Sequence, residues 1–304
     1  AWGMLTGVRP AKLATKAVEQ GVEKTEFIKQ FREEYLVSAG KAELAYDIAV
    51  RERDVLSELD YKDGYSLYVG IPFCPSVCSY CSFSSGPIDK WRDQIPAYLD
   101  ALCKELAYIG KVSSEKKLNT IYIGGGTPTS LDAEQLDQIL TCIDQSFSRE
   151  HLLEYTVEAG RPDSITEKKL QVIKRHGVIR ISINPQTMQQ KTLDRIGRKH
   201  SVQEVKDIYR MARKLGFDNI NMDLIAGLPG EGLEDMKDTL AQIQELAPDS
   251  LTVHSLAIKR AAQMGQEKST LGYVRDLEEQ TEHPERMAEA LSAMIECAHE
   301  TAYE

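Results

Sequence analysis

Cys74-Pro75-Ser76-Val77-Cys78-Ser79-Tyr80-Cys81 carries three thiols on one short stretch, in a C-x3-C-x2-C spacing. Three thiolates so spaced can hold three corners of a cubane [4Fe–4S] cluster, leaving the fourth iron open to a ligand. Two readings compete with this one. A structural zinc ion takes four ligands, usually as two C-x2-C pairs, and Cys103, Cys142 and Cys297 offer no second pair. Reduced core cysteines need no metal. Six cysteines, three of them crowded together, do not form the pattern of a secreted disulfide framework, so the crowding points to metal in a reducing, cytoplasmic setting.

The second chemical signal is Tyr122-Ile123-Gly124-Gly125-Gly126-Thr127-Pro128-Thr129. Consecutive glycines strip away side chains and let a ligand approach the backbone. The run matches neither the Walker spacing nor G-x-G-x-x-G, so a nucleotide phosphate is not its natural ligand, and a purely structural turn is the competing reading.

Elements that position these residues are legible from periodicity. Residues from about Pro10 to Leu59 are charged and helix-favouring, with Leu13, Ala17, Phe27, Phe31 and Tyr35 at helical intervals; Lys12, Lys16 and Lys24 read as a solvated helix face. After Asp63-Gly64, short apolar runs alternate with longer amphipathic segments, the βαβ signature of a parallel sheet. Six strands are expected, at Ser66–Phe73, Thr120–Gly124, Glu154–Glu158, Val178–Asn184, Asn219–Ala226 and Leu251–Ala257. Helices are expected at Pro96–Ile109, Ala133–Phe147, Glu167–Arg175, Ser201–Lys214 and Leu233–Leu246. Such a succession builds either a doubly wound sheet or an incomplete (β/α) barrel, and periodicity does not choose between them.

Composition narrows the function classes. The chain has 304 residues, 42% of them hydrophobic and 28% charged, with no run near the ~20 apolar residues that span a bilayer. A net charge of -10 argues against a nucleic-acid binder, which needs a cationic footprint. The chain opens without a signal segment, and its last helical pattern, from Arg286, runs to Glu304 without a stop; a cytoplasmic piece of a longer protein is the expectation.

Together these residues resemble the radical S-adenosylmethionine (SAM) superfamily, and within it the oxygen-independent coproporphyrinogen III oxidase group. The resemblance rests on Ser66-Leu67-Tyr68-Val69-Gly70-Ile71-Pro72-Phe73-Cys74, the Gly-Thr-Pro motif, the interval from Gln186 to Arg198, and Asn221-Met222-Asp223-Leu224-Ile225-Ala226-Gly227-Leu228-Pro229. Leu5-Thr6-Gly7-Val8-Arg9-Pro10 and Val253-His254-Ser255-Leu256-Ala257-Ile258-Lys259-Arg260 are similar to its coproporphyrinogen dehydrogenase subgroup. The resemblance implies that Cys74, Cys78 and Cys81 ligate the cluster, with Tyr80 beside it. It implies that Tyr68, also the candidate catalytic residue, and Gly125, Gly126, Thr127, Glu158, Gln186, Arg198, Asp223 and Ala257 line one or two SAM positions. Glu158, Gln186, Asp223 and Ala257 belong to four different strand ends, which favours an incomplete (β/α)6 TIM-like barrel spanning 63–260, with an N-terminal helical extension over 1–62 and a truncated C-terminal helical segment over 261–304.

The implied reaction is oxidative decarboxylation of propionate side chains to vinyls on a tetrapyrrole substrate, with SAM and a [4Fe–4S] cluster as cofactors and flavodoxin or ferredoxin as electron donor. Arg161, Arg180, Lys259 and Arg260, near strand ends, are candidates for the substrate carboxylates. Each site residue has a plainer reading: Glu158 or Asp223 as a helix cap, Arg198 as a surface ion pair, Gln186 as a loop brace. His176, His200 and His254 are read as structural. Two departures from the oxidase pattern stand out. Phe83 occupies the place of a further cysteine, and Gly70 that of a histidine. C-x3-C-x2-C-x-F is also the pattern of related heme chaperones, so heme delivery is the alternative, with a radical reaction on another tetrapyrrole as a third.

Overall fold

The computed structural model describes residues 2–5, 9–60, 62–266 and 284–301. Thr6, Gly7 and Val8 of the N-terminal motif, and the 267–283 part of the C-terminal segment, lie outside them. The chain divides into two compact units, Ala1–Gly64 and Tyr65–Glu304.

The first unit is three helices, α1 (Pro10–Glu19), α2 (Lys24–Tyr35) and α3 (Ala39–Leu56). Pro10 begins α1 where its missing N–H costs nothing. Ala14, Val18, Phe27, Phe31, Ala42, Ala45 and Ala49 form the core, the alanines of α3 letting the aromatic side chains of α2 approach closely. Lys24 departs from the solvated face expected of it: its ammonium bridges Glu43 (2.9 Å) and Asp47 (2.8 Å) on α3.

The second unit is a six-stranded sheet in the order β1 (Gly64–Ile71), β4 (Lys117–Gly125), β5 (Glu154–Gly160), β6 (Arg180–Ile183), β7 (Ile220–Ala226) and β8 (Ser250–Ser255). Spatial order follows chain order without a reversal, which a doubly wound sheet would require. The sheet is therefore the incomplete TIM-like barrel, curled, with β4 to β8 pairing in parallel. Between the strands run α4 (Ile95–Val112), α5 (Ala133–Ser146), α6 (Glu167–Arg175), α7 (Gln190–Arg195), α8 (Val202–Lys214) and α9 (Leu233–Leu246). Capping boxes start α5, at Asp132 with Gln135, and α8, at Ser201 with Glu204. The short α7 was not expected; six residues carry too little periodicity to announce a helix.

Alternation along the strands sorts the residues. Tyr155, Val157, Ala159, Ile181, Ile183, Ile220, Met222, Leu224 and Ala226 are buried against the helices. The intervening positions, Thr156, Glu158, Arg180, Ser182, Asn184, Asn221, Asp223, Thr252 and His254, line the concave face. A polar interior on an apolar-backed sheet marks a binding surface rather than a filled barrel core.

On the outer layer, Cys103 of α4 and Cys142 of α5 form a disulfide, with Cα atoms 5.7 Å apart. This departs from the sequence expectation that no disulfide framework exists. The cysteines are 39 residues apart in sequence and meet because their helices pack side by side.

β2 (Phe73–Cys74) and β3 (Gly86–Pro87) pair in parallel and close the base of the cysteine loop. Beneath it the Gly125–Thr127 backbone runs against the end of β1: the Gly126 N–H donates to the Ile71 carbonyl (2.7 Å) and the Thr127 N–H to the Phe73 carbonyl (2.7 Å). A Cβ on Gly126 would stand 2.6 Å from the Phe73 oxygen and 3.0 Å from Cys74 Sγ; Gly125 holds φ +105°. The glycine run is thus required by close approach of two backbones. Gly126→Ala is expected to destabilise the protein by about 1–3 kcal/mol and to lower iron retained after anaerobic reconstitution. Wild-type melting and wild-type iron content in that variant would refute the close-approach account.

Candidate SAM and cluster site

A cavity of about 620 Å³ opens at the C-terminal ends of the strands, a size suited to a small-molecule ligand. Its wall includes Cys74, Cys78, Cys81, Tyr80, Gly125, Gly126, Thr127, Glu158, Gln186, Arg198, Asp223 and Ala257. Of the residues expected from sequence to hold the cluster or SAM, Tyr68 alone is not in that wall. It is 62% exposed on β1 and stacks on Tyr122, with centroids 5.9 Å apart and planes 11° apart. Tyr122, to which sequence reasoning gave no role, lines the cavity and donates a hydrogen bond to Glu158. Its signal was available: it lies two residues before Gly124 on the same strand face.

Cys74, Cys78 and Cys81 take part in no disulfide. The loop is held by the Ser79 N–H to the Ile196 carbonyl (3.1 Å) and by a turn from the Cys81 N–H to the Cys78 carbonyl (3.0 Å). Thr127 Oγ1 donates to Cys74 Sγ at 3.4 Å. Burial pushes the Cys81 thiol up, a backbone hydrogen bond at Phe83 opposes this, and its neighbours Cys78 and Cys74 add to it. Among the described residues no three His, Cys, Asp or Glu side chains gather as a single metal ion requires. A cubane asks for less convergence, since each thiolate takes a different iron.

The plainer readings of the polar residues do not match the geometry. Glu158 and Asp223 cap no helix: Glu158 accepts from Tyr122, and Asp223 accepts from Asn221 Nδ2 at 2.7 Å. Arg198 is 6% exposed with no carboxylate partner among the described residues; it donates to the Asn184 carbonyl and to the Tyr80 hydroxyl (3.3 Å). Gln186 stands at φ +70° and bridges strands through its backbone, donating to the Asp223 carbonyl and accepting from Ile225. Among the described residues its side-chain oxygen has no hydrogen-bond partner, and the same is true of Asn184 Oδ1 and Arg198 Nε. Such buried orphans call for a ligand with both donors and acceptors. The amino and carboxylate ends of SAM supply both, so donor set and orphaned atoms fit the cofactors.

Electrostatics follow burial. Burial raises the Glu158 carboxyl, the Tyr122 hydrogen bond opposes this, and Asp223 adds to the rise. Burial raises the Tyr80 hydroxyl, Arg198 partly countering it, so Tyr80 stays a neutral phenol.

A radical SAM domain model matches residues 68–243, more than half of the chain. The chain belongs to the radical SAM superfamily. Radical SAM proteins use a [4Fe–4S] cluster and SAM, and these are the cofactors of this fold. The oxygen-independent coproporphyrinogen-III oxidase-like protein HemZ of Bacillus subtilis is 43% identical over 88% of this chain and 54% of its own length. The heme chaperone HemW of the same organism is 36% identical over 64% of the chain and 51% of its own length. Among solved radical SAM structures, Escherichia coli coproporphyrinogen III oxidase (HemN) superposes with a TM-score of 0.61 at 25% identity, covering 77% of this chain and 56% of that one. The chain thus spans about half the length of the curated relatives it matches.

Of the cations proposed for substrate carboxylates, Arg180 and Lys259 line the cavity and Arg260 does not. Arg161 reaches the wall but is 3% exposed and bound to Asp163 (2.6 Å), so it is not free for a substrate. Of the histidines, His176 sits between Asp137 and Asp144 at 2.6 Å each, and His254 lines the cavity, a placement sequence reasoning missed. No helix among the described residues is long and apolar enough to cross a membrane.

His200 is fully buried, and among the described residues neither ring nitrogen has a hydrogen-bond partner, although Nδ1 stands 4.0 Å from Asp163 Oδ1. Burial, then the nearby Arg198 charge, pushes it down to about 4 from 6.5. A depressed folded value favours the neutral ring, so this contribution is present above pH 6.5 and lost as pH falls through about 4. At 1.36 kcal/mol per unit it amounts to at most ~3 kcal/mol. Denaturant unfolding of His200→Asn is expected to show a flatter loss of stability between these pH values than wild type. Parallel curves would contradict it.

Proposed function

We propose that this chain carries the catalytic core of a radical SAM oxidoreductase of the coproporphyrinogen III dehydrogenase type, acting on the propionate side chains of a tetrapyrrole. The observation that carries the proposal is the junction of the three-thiol loop with a polar strand-end cavity holding orphaned Gln186, Asn184 and Arg198 atoms. Likeness to HemZ over 88% of the chain supports the substrate class.

Cys74, Cys78 and Cys81 hold the cluster, and the glycine run, Gln186, Arg198, Asp223 and Glu158 hold SAM. Bound together and reduced by one electron, cluster and SAM supply hydrogen-abstracting chemistry. The protein's part is orientation and exclusion of water. Arg198, fixed by the Asn184 carbonyl, offers its free Nε to a carboxylate; Gln186 Oε1 and Asp223 accept from an amino group. Glu158, backed by Tyr122, takes hydroxyl donors. Arg180 and Lys259, on the same wall, pair with substrate carboxylates. An external low-potential protein, flavodoxin or ferredoxin in kind, delivers the electron in a cytoplasmic setting.

Heme delivery is the second reading. It is favoured by Phe83, 73% exposed at the cavity wall two residues beyond Cys81, and by likeness to the HemW chaperones. An aromatic ring so placed offers a face to a flat macrocycle.

The test is anaerobic turnover of iron-reconstituted, dithionite-reduced protein with SAM, with and without coproporphyrinogen III, following 5'-deoxyadenosine and porphyrin products. Decarboxylation with substrate-dependent SAM cleavage is expected. Tight heme binding with no decarboxylation would transfer the function to the chaperone reading.

A further inference from the structure

Gly160, at φ +68°, ends β5 and turns the chain so that Arg161 folds back under the cysteine loop. Its guanidinium is committed on every side. Nε and Nη2 donate to the two oxygens of Asp163 (2.9 and 2.6 Å) in a bidentate fork. Nη1 donates to the Ser76 carbonyl and hydroxyl (2.8 Å each) and to Cys78 Sγ (3.7 Å). The Arg161 and Asp163 side chains are 3% and 15% exposed, so the pair acts in a weakly screened interior. Burial pushes the Asp163 carboxyl up, but the Arg161 hydrogen bonds and charge hold it below its usual range, so it stays ionised. Arg198, the other buried cation near this loop, reaches the Tyr80 hydroxyl (3.3 Å) and Cys78 from another element, without a carboxylate fork to hold it there among the described residues.

We infer that Arg161 is a positioning residue for the Cys78 corner of the cluster and sets how readily the cluster accepts its electron. The inference rests on the cluster reading above. Reduction adds negative charge to a site bounded by thiolates. A hydrogen bond and a fixed cation at one ligand sulfur stabilise the reduced form and raise the potential. Asp163 does the reverse in part: it fixes the fork and offsets its charge. Arg161 therefore serves the cluster, and not the substrate carboxylates that its sequence position first suggested.

The experiment is an anaerobic dithionite titration of the reconstituted protein, read by the electron paramagnetic resonance of the reduced cluster, on wild type, Arg161→Gln, Arg161→Lys and Asp163→Asn. Arg161→Gln is expected to shift the midpoint to more negative potential, on the order of a tenfold weaker reduction equilibrium or about 59 mV for one electron. Arg161→Lys, which keeps the charge without the fork, falls between. Asp163→Asn, leaving the cation uncompensated, shifts the other way. A purely structural brace would lower melting temperature without moving the midpoint. Unshifted midpoints in Arg161→Gln and Asp163→Asn, with the cluster intact in each, overturn the inference alone. If Arg161→Gln assembles no cluster, the signs of Arg161→Lys and Asp163→Asn decide it. A wild type that yields no [4Fe–4S] signal overturns the cluster reading, and the inference with it.

Discussion

Two backbones pressed together, Gly125–Thr127 against Ile71–Phe73, are the contact on which the site depends. The cysteine loop leaves β1 just beyond this contact, so its first thiol, Cys74, is placed by main-chain hydrogen bonds from Gly126 and Thr127. A Cβ at Gly126 would press on the Phe73 carbonyl and force the two backbones apart. The glycine run therefore serves two ends. It brings β4 under the loop, and it leaves bare backbone facing the cavity where a ligand can lie.

The rest of the sheet supplies an interior in which charge is expensive unless partnered. Three ionisable groups at the site have partners fixed by a neighbouring strand or loop, Glu158 with Tyr122, Arg161 with Asp163, and Arg198 with Asn184 and Tyr80, while buried His200 stays neutral instead. What is left over is specific. At the cavity wall, among the described residues, Gln186 Oε1, Asn184 Oδ1, Arg198 Nε and Ser182 Oγ have no hydrogen-bond partner, and the first three present the two acceptors and one donor that an amino-acid headgroup would satisfy. Burial keeps these groups from being satisfied by bulk water, which is how a preorganised site holds binding energy in reserve.

Much of this was written in local sequence. The strand positions are visible because βαβ units alternate two periods, and the six expected strands overlap β1 and β4 to β8, the last expected strand running past Ser255 to residues that leave the sheet. The choice of barrel over doubly wound sheet was not local. It came from Glu158, Gln186, Asp223 and Ala257 lying at different strand ends, and strand order confirms the topology. Partnership was least legible. Nothing near Arg161 in sequence announces that it turns toward Ser76 and Cys78, and nothing in the spacing of Cys103 and Cys142 shows that α4 and α5 set them side by side. Tyr68 illustrates the opposite limit: its motif is local, but its ring faces Tyr122 outside the cavity wall.

The claim at the centre of this account is that a three-thiol loop leaves one iron open for SAM beside Gln186 and Arg198. The most direct test is the electron paramagnetic resonance spectrum of the dithionite-reduced, reconstituted protein recorded with and without SAM, beside Gln186→Leu. A [4Fe–4S] spectrum that changes on adding SAM in wild type, with the change weakened about tenfold in apparent affinity in the variant, is the predicted result, corresponding to ~1.4 kcal/mol of lost binding. A cluster spectrum indifferent to SAM in wild type would contradict it.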